Sequence, residues 1–137
     1  MHFSEPERSY LASQRLGRLA TLGPDGAPQN KPVAFTCNSR DGTIDIGGRA
    51  MGTSRKFRNV QRDGRVSLVV DDVASEPWHG RGVEIRGHAE ALTDQGRSNA
   101  SFSAEIIRIH PRRVVTWGLD PATSGIQGRE LDDDRHP

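Results

Sequence analysis

The chain has 137 residues, the length of one domain, and only 33% of them are hydrophobic, so its core is modest. A net charge of +1 argues against a general nucleic-acid binder, which would be more basic, and against a protein that binds membrane surfaces. The single cysteine, Cys37, excludes an internal disulfide and a thiolate metal cluster.

The termini and hydropathy indicate a cytoplasmic chain. Residues 1–14 contain acids and no apolar run, unlike a signal peptide. No segment approaches the ~18 apolar residues that a membrane span needs. One cysteine fits a reducing compartment.

The first half of the chain predicts a short helix and three strands. Ser4 and Glu7 have capping-box spacing and Pro6 suits a first turn, so we expect a helix over residues 4–14. Strands are expected at 18–23, 29–37 and 43–48, joined by glycine-containing turns as an antiparallel meander. Pro32 places an edge or a bulge in the second strand.

The second half predicts another short helix and four strands. Thr53 or Ser54 is the expected N-cap, and Asp63 with Gly64 ends the helix near residue 62. Strands are expected at 65–72, 83–94, 104–111 and 112–119, with a bulge at Gly87. A loop is expected at 73–82, a loop or one helical turn at 95–103, and a loosely ordered tail at 120–137 unless it lies on a partner. Six or seven strands with two short helices indicate a mainly β, single-domain antiparallel barrel with its core in residues 5–119.

The segment 48–66 concentrates positive charge. It holds six basic side chains against one acid, and it includes Lys56, one of only two lysines beside 17 arginines. Free N–H groups of a helix start, the hydroxyls of Thr53 and Ser54, and the cations Arg55 and Lys56 together are typical of a phosphate site. The alternative is a solvated charged face. The segment lacks both the P-loop and the Rossmann glycine patterns.

Other candidate residues give weaker signals. The five histidines show no ligand spacing, so we predict no metal site. Cys37 ends a strand with no histidine nearby in sequence, which favours a buried structural thiol. Asp71 and Asp72 end a strand and are expected to face solvent. Trp78 stands in a polar loop, unlike most core tryptophans.

Three segments carry a family resemblance. LATLGPDGAPQNKPVAF, TSRKFRNVQRDGRVSLVVDD and IIRIHPRRVVTWG, in this order, resemble the split β-barrel flavin and deazaflavin oxidoreductases, relatives of pyridoxamine phosphate oxidase. The resemblance covers about residues 5–119, and the last segment matches the family's closing hairpin. Within the family the sequence is most similar to the actinobacterial branch that uses the deazaflavin coenzyme F420.

The resemblance implies a split barrel of six or seven strands and a homodimer with two cofactors in clefts at its interface. It also implies roles for named residues. The positions that hold the cofactor phosphate in the family correspond here to Ser54, Lys56 and Asn59, with Thr53 and Arg55 adjacent. The strand that lies against the ring system corresponds to Asn30, Pro32 and Val33. Trp78 corresponds to a loop that reaches the ring from the partner chain. Arg49, Arg55 and Arg58 are the expected partners of the coenzyme's anionic polyglutamate tail.

The expected function is an F420-dependent reductase that passes a hydride from the deazaflavin to a small conjugated or heterocyclic substrate. No catalytic acid is assigned, although His79 could deliver a proton. The alternatives are an FMN-dependent oxidoreductase on the same barrel and a non-catalytic flavin- or haem-binding module. A single-stranded RNA-binding barrel would need exposed aromatic residues beside the basic ones, and the chain has only seven aromatic residues in total.

One feature departs from the family. About nine residues separate the strand that ends near Asp94 from the one that starts near Ala104, where many relatives have a longer helix beside the substrate pocket. We therefore expect this pocket to be more open or differently lined.

Overall fold

The computed structural model describes residues 3–96, 99, 101–120, 122 and 125–131. Two helices, seven strands and one 3₁₀ turn follow one another along the chain. They are α1 (Glu5–Ala12), β1 (Leu16–Leu22), β2 (Pro28–Asn38), β3 (Thr43–Gly47), the 3₁₀ turn (Met51–Thr53), α2 (Arg55–Arg62), β4 (Arg65–Ala74), β5 (His79–Leu92), β6 (Ile106–Trp117) and β7 (Ile126–Glu130).

All seven strands form one antiparallel sheet in the order β3-β2-β1-β4-β5-β6-β7. A further pairing of β3 with β6, through Ile44–Ile46 and Ile107–Ile109, closes six strands into a barrel. Strand β7 adds to the second half of β6 outside this closure. The predicted mainly β split-barrel fold is therefore confirmed.

The core fills the barrel because apolar side chains alternate along the strands. Twelve large side chains have relative exposures below 2%, and most are β-branched or leucine residues on the strands. The second helix closes one end of the barrel with Phe57 and Val60, which share a face at i and i+3 as predicted and are both buried. Burial of each such side chain is worth about 1.5–3 kcal/mol.

The predicted strands 104–111 and 112–119 are one continuous strand, so the predicted closing hairpin was wrong. A bulge lets Pro111 stay in the sheet: Arg86 pairs with Arg113 and Gly87 with Pro111, leaving Arg112 as the extra residue. Gly87 is needed here, since a Cβ on it would lie 2.3 Å from the backbone oxygen of His110. The bulge predicted at Gly87 is confirmed, although the extra residue is on β6.

The predicted tail is also partly structured. Ile126–Glu130 pairs with β6, and its arginine Arg129 forms an ion pair with the buried Glu7 of α1. The assignment of residues 120–137 to a loosely ordered tail was therefore wrong for β7, because the pairing edge of β6 could not be seen from local composition. The rest of that prediction, at 121, 123–124 and 132–137, lies outside the described residues.

The remaining differences concern strand ends. The capping box of Ser4 and Glu7 is present, which confirms the start of α1. Strands β4 and β5 extend further than predicted and pair up to Ala74 and His79, so the loop expected at 73–82 is a four-residue turn. In the described part of the chain, no helix is long and apolar enough to cross a membrane.

Candidate functional site

The start of α2 is an open helix N-terminus. Ser54 is the N-cap, as predicted: its Oγ accepts a hydrogen bond from the Phe57 amide at 3.3 Å and donates to the Met51 carbonyl at 2.6 Å. The next two amides, of Arg55 and Lys56, have no acceptor among the described residues. These N–H groups and the positive end of the helix dipole favour an anion at this position.

Five cations, on α2, on the segment before it and on β2, have no acidic partner among the described residues. None of them forms an ion pair with a described acid, and we call them the cation cluster: Lys31, Arg49, Arg55, Lys56 and Arg58. Elsewhere most described arginines are paired, as Arg81 is with Asp72 and Arg108 with Asp45. Unpaired positive charge is therefore concentrated where the helix amides are free.

Lys56 shows the electrostatic consequence. Partial burial lowers its pKa, and the positive charge of the nearby Lys31 lowers it further. Lys31 lies on β2, in the face that includes the buried Val33, so sheet and helix each contribute one ammonium group. An anion between them would relieve both costs, and so the residues present fit a phosphate.

Asn59 positions α2 on the barrel. It is 1% exposed, and its Nδ2 donates to Thr21 Oγ1 on β1 and to Gln29 Oε1 on β2, both at 2.9 Å. Its Oδ1 accepts from Arg62 at 2.9 Å. Sequence reasoning placed Asn59 on the phosphate. The structure places it beneath the helix, where it fixes Lys56 relative to the neighbouring residues of β2.

The predicted ring-facing strand is half exposed. Asn30 and Pro32 lie on the outer face of β2, whereas the Val33 side chain is buried in the core and could meet a ligand only through its backbone. Residues 28–33 pair with β1 but not with β3, which begins its pairing at Ala34. This free edge explains how Pro32 is accommodated, as the sequence predicted.

The segment before the 3₁₀ turn carries the exposed Arg49 and is held by a residue that sequence reasoning missed. The amide and Oγ of Ser103 both approach the Gly48 carbonyl, at 2.8 and 3.2 Å, and the Met51 amide donates to Ser103 Oγ at 3.2 Å. A serine in a polar stretch, more than 50 residues away in sequence, gives no local signal of this contact.

A cavity of about 310 Å³ lies next to this segment. It is bounded by residues 34–36 of β2, by Asp45 and Gly47 of β3, by described residues of the stretch between β5 and β6, and by the start of β6. The walls include Phe35, Phe102 and Ile106, with Thr36, Asp45 and Ser103 among the polar residues. Described residues of the short segment between β5 and β6 thus form part of the cavity wall, and the expectation of a more open or differently lined substrate pocket stays a prediction.

Trp78 and His79 lie at the β4–β5 turn. Trp78 is 79% exposed, and no described hydrogen bond, ion pair or ring contact joins it to α2 or β2. The two ring nitrogens of His79 face the carbonyl oxygens of Pro77 at 2.8 Å and Gly118 at 3.2 Å. Within one chain the structure does not bring these residues to the cation cluster.

Two other candidates carry no chemistry of their own. Burial raises the pKa of the Cys37 thiol to about 11, so it is protonated at neutral pH and behaves as a structural side chain. Among the described residues, no three histidine, cysteine or acidic side chains are grouped as a metal site.

Comparison with known proteins gives consistent matches. A family model described as pyridoxamine 5'-phosphate oxidase matches residues 3–127. A 5a,11a-dehydrotetracycline/5a,11a-dehydrooxytetracycline reductase from Streptomyces rimosus is 48% identical over 134 residues, which cover 96% of this chain and 94% of that protein.

Solved structures agree on the fold. The conserved hypothetical protein Rv2991 from Mycobacterium tuberculosis superposes with a TM-score of 0.66 at 27% identity, covering 85% of this chain and 86% of that one. A structure named F420 reductase has a TM-score of 0.62 at 23% identity, covering 82% of this chain and 98% of that one, a similarity of fold alone.

Proposed function

This chain belongs to the pyridoxamine 5'-phosphate oxidase family, and from that premise we propose that it is a reductase that binds the deazaflavin coenzyme F420. Its proposed acceptor is a conjugated carbon–carbon double bond in an oxygen-rich polycycle. The oxidoreductase class follows from the reductase relative that is 48% identical over nearly the whole chain.

The cation cluster is the observation that carries the cofactor proposal. A phosphate monoester such as that of FMN brings about two negative charges. Lys31, Lys56 and the free amides of the α2 start already suit one such group. Arg49, Arg55 and Arg58 then remain without an acidic partner among the described residues. This surplus supports a ligand with further anionic groups, as the polyglutamate tail of F420 has.

The acceptor class rests on the Streptomyces relative. Its name states that it reduces 5a,11a-dehydrotetracycline and 5a,11a-dehydrooxytetracycline. Since 134 aligned residues leave little room for a different architecture, we propose a related acceptor for this chain, with the exact compound left to assay.

The protein's own contribution is position and charge. When bound, the reduced deazaflavin would supply the hydride that reduction of the acceptor's double bond requires, with the proton taken from water. Lys56, Lys31 and the helix amides would hold the phosphate, and the free edge of β2 would lie against the ring system. We assign His79 no role in this step, and both of its ring nitrogens lie within hydrogen-bond distance of carbonyl oxygens of its own chain.

Two titrations of the apo protein, one with oxidised F420 and one with FMN, distinguish the proposed cofactor from the FMN alternative. Both are followed by tryptophan fluorescence. We expect F420 to bind at least about tenfold more tightly, with the stronger salt dependence that more ion pairs produce. A 5a,11a-dehydrotetracycline should then oxidise reduced F420 only when the protein is present.

Other outcomes have definite meanings. Tighter binding of FMN would move the chain to the flavin-dependent branch. If neither compound binds at micromolar concentration, the cation cluster is only a solvent-exposed charged face. Tight F420 binding without turnover of any conjugated acceptor would favour a non-catalytic carrier.

A further inference from the structure

We propose that Ser103 is a positioning residue for the anion site at the start of α2, and that it acts through Met51 and Ser54. Its task is to fix the segment that carries Arg49 and leads into the first turn of the helix. The inference rests on the proposed function for the identity of the anionic ligand. It rests on the hydrogen bonds of the described residues for the role of Ser103 itself.

The Ser103 side chain closes a short loop around Arg49. Its Oγ donates to the Gly48 carbonyl at 3.2 Å and accepts from the Met51 amide, also at 3.2 Å. Its own amide donates to the same Gly48 carbonyl at 2.8 Å. Arg49 and Ala50 lie between these two anchor points and are exposed. The loop is thus held at both ends while its arginine stays at the surface.

Met51 transmits this restraint to the helix start. Its side chain is 1% exposed, so the residue cannot shift without disturbing a close-packed core. Its carbonyl accepts from the Ser54 amide at 3.0 Å and from the Ser54 Oγ at 2.6 Å. The same Oγ accepts from the Phe57 amide at 3.3 Å, in the first turn of α2. Two serine hydroxyls, each of which donates and accepts, therefore join the stretch between β5 and β6 to the helix N-terminus.

The residues on either side of Ser103 lie equally close to this segment. A Cβ on Gly52, in the 3₁₀ turn, would be 2.8 Å from the Cδ of Glu105. A Cβ on Gly47, at the end of β3, would be 3.1 Å from the Cδ1 of Phe102. Residues 102–105 therefore contact the chain from residue 47 to residue 52 at several points, and Ser103 supplies the side-chain hydrogen bonds among these contacts.

Anion binding depends on where this restraint places the helix start. The amides of Arg55 and Lys56 have no acceptor among the described residues, and a phosphate must meet them and the ammonium groups of Lys56 and Lys31 at hydrogen-bond distance. Asn59 holds the underside of α2 to β1 and β2. Ser103 restrains the other end of this arrangement, so that binding groups from helix and sheet are held in place before the ligand arrives.

The first test separates the hydroxyl from the rest of the side chain. Ser103→Ala removes the hydroxyl, and Ser103→Thr keeps it, with room for the added methyl group because Ser103 lines a cavity of about 310 Å³. Ser101→Ala is the matched control, since Ser101 is exposed in the same stretch and its hydroxyl forms no hydrogen bond with a described residue. Affinity for oxidised F420 is measured by tryptophan fluorescence, and thermal unfolding of each variant is recorded beside it.

We expect Ser103→Ala to lower the affinity for F420 about fivefold or more, and Ser103→Thr and Ser101→Ala to leave it within about twofold. Unchanged affinity in Ser103→Ala, with only a lower melting temperature, would show that the serine is merely structural and would overturn the inference. An equal loss in Ser103→Thr and Ser103→Ala would also overturn it, because the hydroxyl would then not be the group that matters.

The second test asks whether Ser103 acts through the phosphate-binding groups. Ser103→Ala is combined with Lys56→Gln, and its effect on F420 affinity is compared in the two backgrounds. If Ser103 positions the groups that hold the phosphate, its loss should matter less once one of them is gone, and we expect a fall below about twofold in the Lys56→Gln background. Equal losses in both backgrounds would overturn the inference.

The same variants are titrated with FMN, which also carries a phosphate. Tighter binding of FMN than of F420 by wild-type protein would refute the proposed cofactor, and the FMN titrations of the variants would then decide the role of Ser103. Micromolar binding of neither compound by wild-type protein would overturn this inference together with the proposed function.

Discussion

Lys56 shows how a single residue can be more informative than the charge around it. The chain uses arginine for 17 of its 19 basic residues, and yet its two lysines are close enough for the charge of Lys31 to lower the pKa of Lys56. Because that pKa is lowered, the unfolded chain binds this proton more tightly than the folded chain does. The folded state therefore carries a cost at neutral pH that fades only as the pH rises toward the ordinary lysine value.

Replacing this lysine should separate binding from stability. We expect Lys56→Gln to leave the melting temperature of the apo protein unchanged or slightly raised, because the repulsion between the two ammonium groups disappears. Its affinity for F420 should fall about tenfold or more, since a charge-assisted hydrogen bond to phosphate is worth ~1.5–3 kcal/mol. Thermal unfolding and fluorescence titration measure the two quantities.

Arg112→Gln is the matched control, since Arg112 is an exposed cation on the β6 bulge, away from α2, and forms no ion pair with a described acid. It should alter neither quantity. A loss of melting temperature with unchanged affinity in Lys56→Gln would show that the lysine is structural and would remove it from the site.

At the scale of elements, α1 is attached to the β4–β5 hairpin through one carboxylate. Asp72 accepts hydrogen bonds from Tyr10 at 2.9 Å and Gln14 at 3.2 Å, and Arg81 bonds to both of its oxygens, at 2.7 and 3.0 Å. Arg81 also lies 5.1 Å from the centre of the Tyr10 ring, a cation–π contact. Asp72 was expected to face solvent. Its side chain is only 30% exposed, because Tyr10 and Gln14, about 60 residues distant in sequence, bond to it.

This network makes a pH-dependent prediction. The hydrogen bonds from Arg81, with a further one from Tyr10, lower the pKa of Asp72 to about 2. A carboxylate with a lowered pKa stabilises the fold above its unfolded pKa of ~3.9, and this contribution is lost as the pH falls toward 2. We expect Asp72→Asn to lower the free energy of unfolding by about 1–2 kcal/mol at pH 7. This difference from wild type should shrink between pH 4 and pH 2.

Asp71→Asn is the control for this prediction. Asp71 is the adjacent residue, half exposed, and its ion pair with Arg18 is 3.5 Å long. Such a surface pair contributes well under ~1 kcal/mol, so urea unfolding at pH 7 should show little change. Equal effects of the two substitutions, or a constant difference across the acidic range, would mean that the network does not hold α1.

The elements that sequence predicted well are those with local signals. The capping box of α1, the N-cap of α2 and the Gly87 bulge each depend on neighbouring residues or on glycine's small size. The errors arose where pairing decides: Pro111 was read as the end of a strand, although a bulge keeps it within β6, and β7 depends on the open edge of that strand. Whether a strand can include a proline depends on how the neighbouring strand pairs with it, and this pairing is not visible in the sequence.

At the scale of the whole molecule, the predicted site divides into a part that one segment encodes and a part that the fold assembles. Arg49, Arg55 and Lys56 were found together because they are contiguous. Lys31 and Ser103 were missed, since each reaches the site from an element distant in sequence. The resemblance to the family, now confirmed, contributed the cofactor class that spacing alone could not provide.

The exposed apolar residues bear on the assembly of the molecule. Trp78 is 79% exposed and Val73 53% exposed on the β4–β5 hairpin, and Leu16, 50% exposed, starts the neighbouring strand β1. Tryptophan is among the residues most enriched at the energetic centres of interfaces, and a homodimer presents the same patch twice. We therefore predict a dimer whose interface includes Trp78, consistent with a role for this side chain beside the partner's cofactor.

The oligomeric state is measured by sedimentation velocity over a dilution series. We expect wild-type protein to have twice the 15.0 kDa mass of one chain at micromolar concentration. The variant Trp78→Ser should remain folded but have a dimer dissociation constant that is about tenfold or more higher. Ile126→Ser is the control, because Ile126 is 73% exposed but lies on β7, away from the hairpin. A wild-type monomer at high concentration would refute the dimer, and equal dissociation of both variants would place the interface elsewhere. In the first case Trp78 could not reach a partner's cofactor, and each chain would have to complete its site alone.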